Sequence, residues 1–244
     1  MSEDMMSLHS IFVTEDTMSW EMTIWGTENP CRASRNTASL MKSMEMRVCW
    51  AKYPNVPYFM LGHSMGSTLL RQYIQMYGNG LSGVILMGVV ADHAKAAIVF
   101  GKRLCRIMAV FRGWHYRSRL VDDMVMGSFN KKFKPARTRA DWITSDQEHL
   151  DAYVSDPLCS FMFTVNAYYS MFAGMLFMRK KESIYMIPKG LPVLFASGTD
   201  DPVGDFGKGV RKIYEQYRTA GIQDVTLRLY SGDRHELLNE TDRQ

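Results

Sequence analysis

The chain has 244 residues, 46% of them apolar and 12% aromatic, enough to bury one sizeable core. Charged residues make up 22% and the net charge is +4, which excludes wholesale disorder. The longest run of apolar residues and glycine, Gly83 to Ala91, falls well short of the roughly 20 residues a membrane-spanning helix needs.

The opening Met1-Ser2-Glu3-Asp4 has no basic stretch followed by an apolar one, so it does not read as a secretory signal. The expected location is therefore cytoplasmic, at most peripheral to a membrane. The cysteines Cys31, Cys49, Cys105 and Cys159 form no CxxC pair and no Cys/His ligand rhythm, so reduced thiols are expected and a structural zinc site is not. The 20 methionines read as flexible core filling.

In chain order, Ser10 to Gly26 places β-forming residues around Glu15-Asp16-Thr17 and reads as a two-stranded hairpin. A weak helix follows, with Leu40, Met41, Met44, Val48 and Ala51 at helical spacing, and Pro54-Asn55-Val56-Pro57 ends it. Tyr58 to Leu61 is a short apolar strand running into Gly62. Leu69, Leu70, Tyr73, Ile74 and Tyr77 then share one helix face, closed by Gly78 and Gly80, and Val84 to Val90 is a second buried strand. Apolar strand, helix and apolar strand in succession indicate a parallel sheet covered by helices.

From Asp92 to about Gly190 the sequence is helical, loop-rich and aromatic. Strand-like sequence resumes at Leu191 to Ala196, followed by a helix from Gly207 to Ala220 and a last strand from Val225 to Tyr230. The expected division is a first core segment, 1–91, a helical cap inserted over 92–190, and a second core segment, 191–244.

Gly62-His63-Ser64-Met65-Gly66 matches G-x-S-x-G at a strand-to-helix turn. Such a turn strains the central residue and pushes its hydroxyl out near the positive end of the next helix, and glycines two positions away avoid collision. The Met65 N–H would then face a developing oxyanion. A serine nucleophile needs a base, and the base an orienting acid. His235 follows the last strand, and Asp200 and Asp201 follow the strand before it. Strands of a parallel sheet share a carboxyl edge, so Ser64, His235 and one of these acids converge there in the order Ser, Asp, His. Spacing alone leaves Asp200 and Asp201 open. His63 lies inside the elbow with its side chain expected to point elsewhere, and His93, His115 and His149 lie in or beside the insertion.

These residues resemble the monoacylglycerol lipase, lysophospholipase and serine-aminopeptidase-like branch of the α/β-hydrolases. The likeness runs through Tyr58 to Ser67, Ser128-Phe129-Asn130, Asp141-Trp142, Asp156-Pro157-Leu158-Cys159, Asp201-Pro202-Val203-Gly204 and Arg234-His235-Glu236. It implies an α/β-hydrolase fold, a mostly parallel sheet with a helical cap between its strands. It also implies hydrolysis of acyl esters of the lysophospholipid or monoacylglycerol type. Ser64 would attack, His235 would act as base and then acid, and Asp201, favoured over Asp200, would hold the imidazole. No metal or organic cofactor is implied.

The sequence departs from the family pattern in two ways. It has no His-Gly dipeptide, the motif whose loop carries the family's second oxyanion donor, and only 27 residues separate Trp25 from Tyr53. Two strands with their helices need on the order of 50 residues, since one βαβ unit takes roughly 30. The expectation is that the central strands upstream of the elbow and the oxyanion loop are missing, and the closing helix after His235 with them. Losing one oxyanion donor typically costs about 100- to 1000-fold in rate. A truncated reading frame, a degenerate copy that binds lipid without turnover, and a working enzyme with another donor all fit this departure. A peptide hydrolase of the aminopeptidase kind is a further alternative.

Between Lys95 and Arg139 stand twelve Lys/Arg against Asp122 and Asp123. Within that span Ala97, Phe100, Leu104, Ile107, Met108 and Phe111 form one helical face, with Lys102, Arg103 and Arg106 across from it. The preferred reading is a cap helix burying that face on the core. The other is a basic amphipathic helix resting on an anionic membrane. Nucleic acid is not expected, because no recognised nucleic-acid motif accompanies the charge. Met171 to Met178, with Phe172 and Phe177, fits an acyl tunnel and core packing equally well.

Overall fold

The structure is a computed structural model that describes residues 55–157, 159 and 161–242, together with the backbone of three short strands nearer the start. These strands are β1 (Val13–Thr14), β2 (Thr17–Met18) and β3 (Thr23–Trp25). Cys31, Cys49 and the helix expected around Leu40 to Ala51 lie outside the described residues.

β1 and β2 pair antiparallel, as the hairpin reading expects, but β3 leaves the hairpin and joins the main sheet. That sheet has the order β3-β4-β5-β6-β7, with β4 (Phe59–His63), β5 (Gly83–Met87), β6 (Val193–Gly198) and β7 (Val225–Tyr230) all parallel. β3 runs antiparallel to β4, with Ile24 opposite Met60. The middle strands are nearly unbroken apolar runs because both of their faces are covered. Met60, Val84, Leu86, Val193 and Phe195 are all buried. β7 instead alternates half-buried and exposed residues, the mark of a strand with one solvated face.

Helix α1 (Met65–Tyr77) returns from β4, and its Leu70, Tyr73 and Ile74 pack on the sheet beside Val210, Ile213 and Tyr217. The latter three belong to a helix between β6 and β7, described below. The fully buried Arg71 of α1 donates to the Val90 carbonyl at 3.3 Å and faces Asp92 at 3.5 Å. It thereby ties α1 to the point where the chain leaves the sheet.

Between β5 and β6 come α2 (Lys95–Arg112), α3 (Arg119–Met126), α4 (Gln147–Ser155), α5 (Val165–Met178) and α6 (Lys181–Tyr185). Three of them start on side-chain caps of the kind that satisfy first-turn N–H groups. Ser118 accepts from the Val121 N–H, Asp146 from those of Glu148 and His149, and Thr164 from that of Ala167. α2 and α5 share a second apolar cluster containing Ile98, Cys105, Ala109, Tyr168, Phe172 and Met175. Phe172 is thus core packing, and Phe177 on the same helix is half-buried.

The face that α2 buries differs from the expected one. Ile98, Gly101, Cys105 and Ala109 point inward, whereas Phe100, Ile107 and Phe111 are 61%, 56% and 80% exposed. At Gly101 the Phe172 ring sits against α2, and a Cβ there would lie 2.7 Å from it. Beyond β6, α7 (Lys208–Thr219) leads to β7, with Gly221 at φ 85° turning the chain after it. Among the described residues no helix is long and apolar enough to cross a membrane.

Candidate active site

Ser64 occupies the turn between β4 and α1 at φ 55° and ψ −119°. Only a residue fixed by its surroundings holds such a conformation without being glycine. Its N–H donates to the Met87 carbonyl at 2.9 Å, and its own carbonyl accepts from the Ser67 hydroxyl at 2.6 Å. A Cβ on Gly62 would lie 2.5 Å from the Gly66 carbonyl oxygen, so glycine is obligatory there. At Gly66 nothing lies within 4 Å of a Cβ position, so the collision expected of both glycines applies to Gly62 alone. Met65 opens α1, and its N–H is among the first-turn donors that helix geometry leaves without an intrahelical partner.

Of the two acids after β6, the structure brings Asp201 to His235. The Asp201 Oδ2 accepts from His235 Nδ1 at 3.1 Å and from the Ser197 hydroxyl at 3.4 Å. Its Oδ1 accepts from the Val203 N–H at 2.9 Å. Asp200 turns outward and pairs with Lys132 at 2.6 Å. Asp201 is fully buried and His235 only 3% exposed. Burial opposes charge on the His235 imidazole, yet Asp201, by charge and hydrogen bond, and Glu236 outweigh it and raise the pKa above 6.5. With Nδ1 directed at a carboxylate, Nε2 is the nitrogen left for proton transfer.

His235 is held from three sides. The Trp142 ring centroid lies 5.1 Å from its own, and the His63 ring 4.8 Å. The loop carrying Trp142 is bonded to the histidine loop: the Glu236 N–H donates to Ile143 at 2.8 Å, Arg234 donates to the Thr144 carbonyl at 2.9 Å, and Thr144 donates to Asn239 at 2.6 Å. His63, expected to point away, instead directs Nε2 to the His235 carbonyl at 3.1 Å. Gly88, at φ 54°, leaves room for this pair. A Cβ on it would lie 2.8 Å from His63 Nε2 and 3.0 Å from His235 Cε1. Ser64, bonded to Met87, and His235, packed on Gly88, therefore meet the same stretch of chain at the carboxyl end of β5.

His93, His115 and His149 take no part in this arrangement; His149 lies 3.3 Å from Asp146, the cap of its own helix. Burial pushes the Cys105 and Cys159 thiols up to about 11, with Asp156 adding to it at Cys159, so neither is a thiolate at neutral pH. Among the described residues no cluster of His, Cys, Asp and Glu could hold a metal ion.

A strained serine at a helix N-terminus and a buried, carboxylate-bound histidine at one sheet edge are the parts of an α/β hydrolase. Residues 40–242 match the serine aminopeptidase, S33, family. The chain belongs to that family. In structure it is similar to a highly thermostable carboxyl esterase from Bacillus coagulans, solved with glycerol, at 27% identity and a TM-score of 0.74 over 82% of this chain and 64% of that one. The chain thus spans just under two thirds of that esterase. It also resembles a lipase in an open form, at 24% identity and a TM-score of 0.72, covering 86% of this chain and 69% of that one. A soluble variant of the Saccharomyces cerevisiae monoglyceride lipase, bound to a substrate analogue, has 22% identity and a TM-score of 0.56 over 83% of this chain and 61% of that one. These likenesses show the α/β-hydrolase fold. No curated protein matches the chain in sequence.

Proposed function

We propose that this S33-family chain is a serine hydrolase of carboxylic esters, with Ser64, His235 and Asp201 as its catalytic residues. The observation that carries the reading is the hydrogen bond from His235 Nδ1 to the buried Asp201, which leaves Nε2 for the serine proton. Ser64 Oγ attacks the acyl carbon and gives its proton to His235 Nε2. The tetrahedral oxyanion is met by the Met65 N–H and the positive end of α1. When the ester bond breaks, the leaving alcohol takes the proton from His235, and the acyl group stays on Ser64. Water then adds to the acyl-enzyme, passing one proton to His235, and the carboxylic acid leaves as Ser64 recovers its proton.

The substrate class we propose is a lysophospholipid or a monoacylglycerol. The resemblance of the elbow, acid loop and histidine loop supports it, as does the likeness to a carboxyl esterase at 27% identity. A second reading, a slow or non-catalytic lipid binder, draws on one observation: the strand bonded to β4 on its outer side is the three-residue, antiparallel β3. A third, hydrolysis of aminoacyl amides, draws on the family's name alone. Comparing the purified chain with Ser64→Ala on monoacylglycerol, lysophospholipid and aminoacyl amide substrates separates the three. Ester turnover that the substitution abolishes supports the first reading, and turnover of the amide alone supports the third.

A further inference from the structure

The solvent face of α2 joins two features that a soluble helix keeps apart. Phe100, Ile107, Val110 and Phe111 are 61%, 56%, 77% and 80% exposed, and they are neighbours on the helix, at spacings of three, four and seven residues. Contiguous exposed apolar side chains of this size mark an interaction surface. Arg103 and Arg106 lie on the same side of the helix, with Lys95 and Lys102 beside them, and α2 contains no acid at all. Among the described residues four other cations of this region meet acids: Arg119 and Arg139 pair with Asp122 and Asp123, Arg137 with Asp151, and Lys132 with Asp200. Among the described residues Lys95, Arg103 and Arg106 form no such pairs. Exposed Trp114 and Leu120 extend the apolar surface past the end of the helix.

We propose that this face docks the protein onto an anionic lipid surface, with Phe100, Ile107, Val110 and Phe111 entering the acyl boundary and Arg103 and Arg106 meeting lipid phosphates. Charge complementarity favours that occupant: an anionic bilayer offers apolar depth and negative charge together, and long basic side chains can reach headgroups while aromatic ones insert. A second copy of this chain would bring the same cations against themselves. The inner face of α2, made of Ile98, Gly101, Cys105 and Ala109, is already committed to α5, which fixes the orientation in which the outer face is presented.

The test is co-sedimentation with vesicles of phosphatidylcholine alone and of phosphatidylcholine mixed with phosphatidylglycerol, at low and high salt. The proposal expects recovery with the mixed vesicles, loss of it in high salt, and a blue shift of tryptophan emission from Trp114. Phe100→Ser with Phe111→Ser, and separately Arg103→Glu with Arg106→Glu, should each weaken binding on the order of tenfold or more. All four side chains are exposed, and unchanged circular dichroism checks that the fold survives. Ser64→Ala should bind as the unaltered chain does, so the result does not depend on the proposed catalysis. Equal recovery with neutral and mixed vesicles, or binding untouched by either pair of substitutions, overturns the proposal. So does a dimer that the phenylalanine substitutions dissociate, since a second copy would then cover this face.

Discussion

His63, the residue just before the candidate nucleophile, holds the main-chain carbonyl of the candidate base: its Nε2 lies 3.1 Å from the His235 oxygen, and the two rings are 4.8 Å apart. Burial, and next the charge of His235, lower the His63 pKa, so His63 is a neutral donor of one hydrogen bond at neutral pH. The elbow and the histidine loop, 172 positions apart, are thereby joined without Ser64 itself.

His63→Ala removes that donor and is expected to lower kcat on acyl esters roughly five- to tenfold, the worth of a hydrogen bond of about 1 kcal/mol. His63→Gln, which can still donate, should recover part of the loss. A merely space-filling role predicts that His63→Leu, of similar volume but unable to donate, recovers as much as His63→Gln, and kcat measured beside thermal melting tells the roles apart.

The acid assignment has its own pair of variants. Asp201→Asn should lower kcat by up to about 10⁴-fold, because the amide favours the wrong imidazole tautomer. Asp200→Asn removes only a partly exposed pair with Lys132, worth about 0–1 kcal/mol, and should leave the rate nearly unchanged. In the proposed mechanism the neutral imidazole is the base, so kcat/KM should rise with pH along a limb whose midpoint lies above 6.5. The folded-state pKa of His235 exceeds the unfolded one, so its contribution to stability is complete below the unfolded pKa and is lost as pH rises through the folded one.

The two elbow glycines should behave differently. Gly62→Ala drives a methyl group to within 2.5 Å of backbone and is expected to abolish activity together with much of the folded yield. Gly66→Ala meets open space inside α1 and should be tolerated, with stability raised by about 0.5–1 kcal/mol. Melting temperature and ester hydrolysis of both variants check this.

Asp233 offers a test of stability apart from catalysis. Burial, then the charges of Asp242 and Glu240, push its carboxyl up to about 6. An acid whose folded pKa is raised costs stability as pH climbs from the unfolded value of 3.8 through the folded one. Asp233→Asn should therefore stabilise the fold by about 1–2 kcal/mol at pH 7.5 and hardly at all at pH 4. Urea melts at the two pH values read the difference.

The strands β4 to β7, the elbow and the neighbouring acid and histidine loops were legible because each rests on local signals: apolar runs, glycine punctuation and chain order. What the sequence did not show depended on distant partners. Phe172 on α5 demands glycine at 101, on the inner face of α2 that also carries Ile98, Cys105 and Ala109, and no helical periodicity within α2 contains that information. The inward turn of His63 depends on Gly88 and on a carbonyl 172 positions away. β3 passes from the expected hairpin to pair with β4, a choice that local β-propensity cannot make. Asp201 and Asp200 look alike in spacing, and only Lys132 and His235, on opposite sides of the loop, separate them.

The most direct test of the catalytic account is labelling of the purified, folded chain with a fluorophosphonate probe, followed by mapping of the adduct. The account predicts an adduct on Ser64 that Ser64→Ala abolishes and that His235→Ala suppresses. A chain shown to be folded that takes no label, or takes it on another residue, contradicts it.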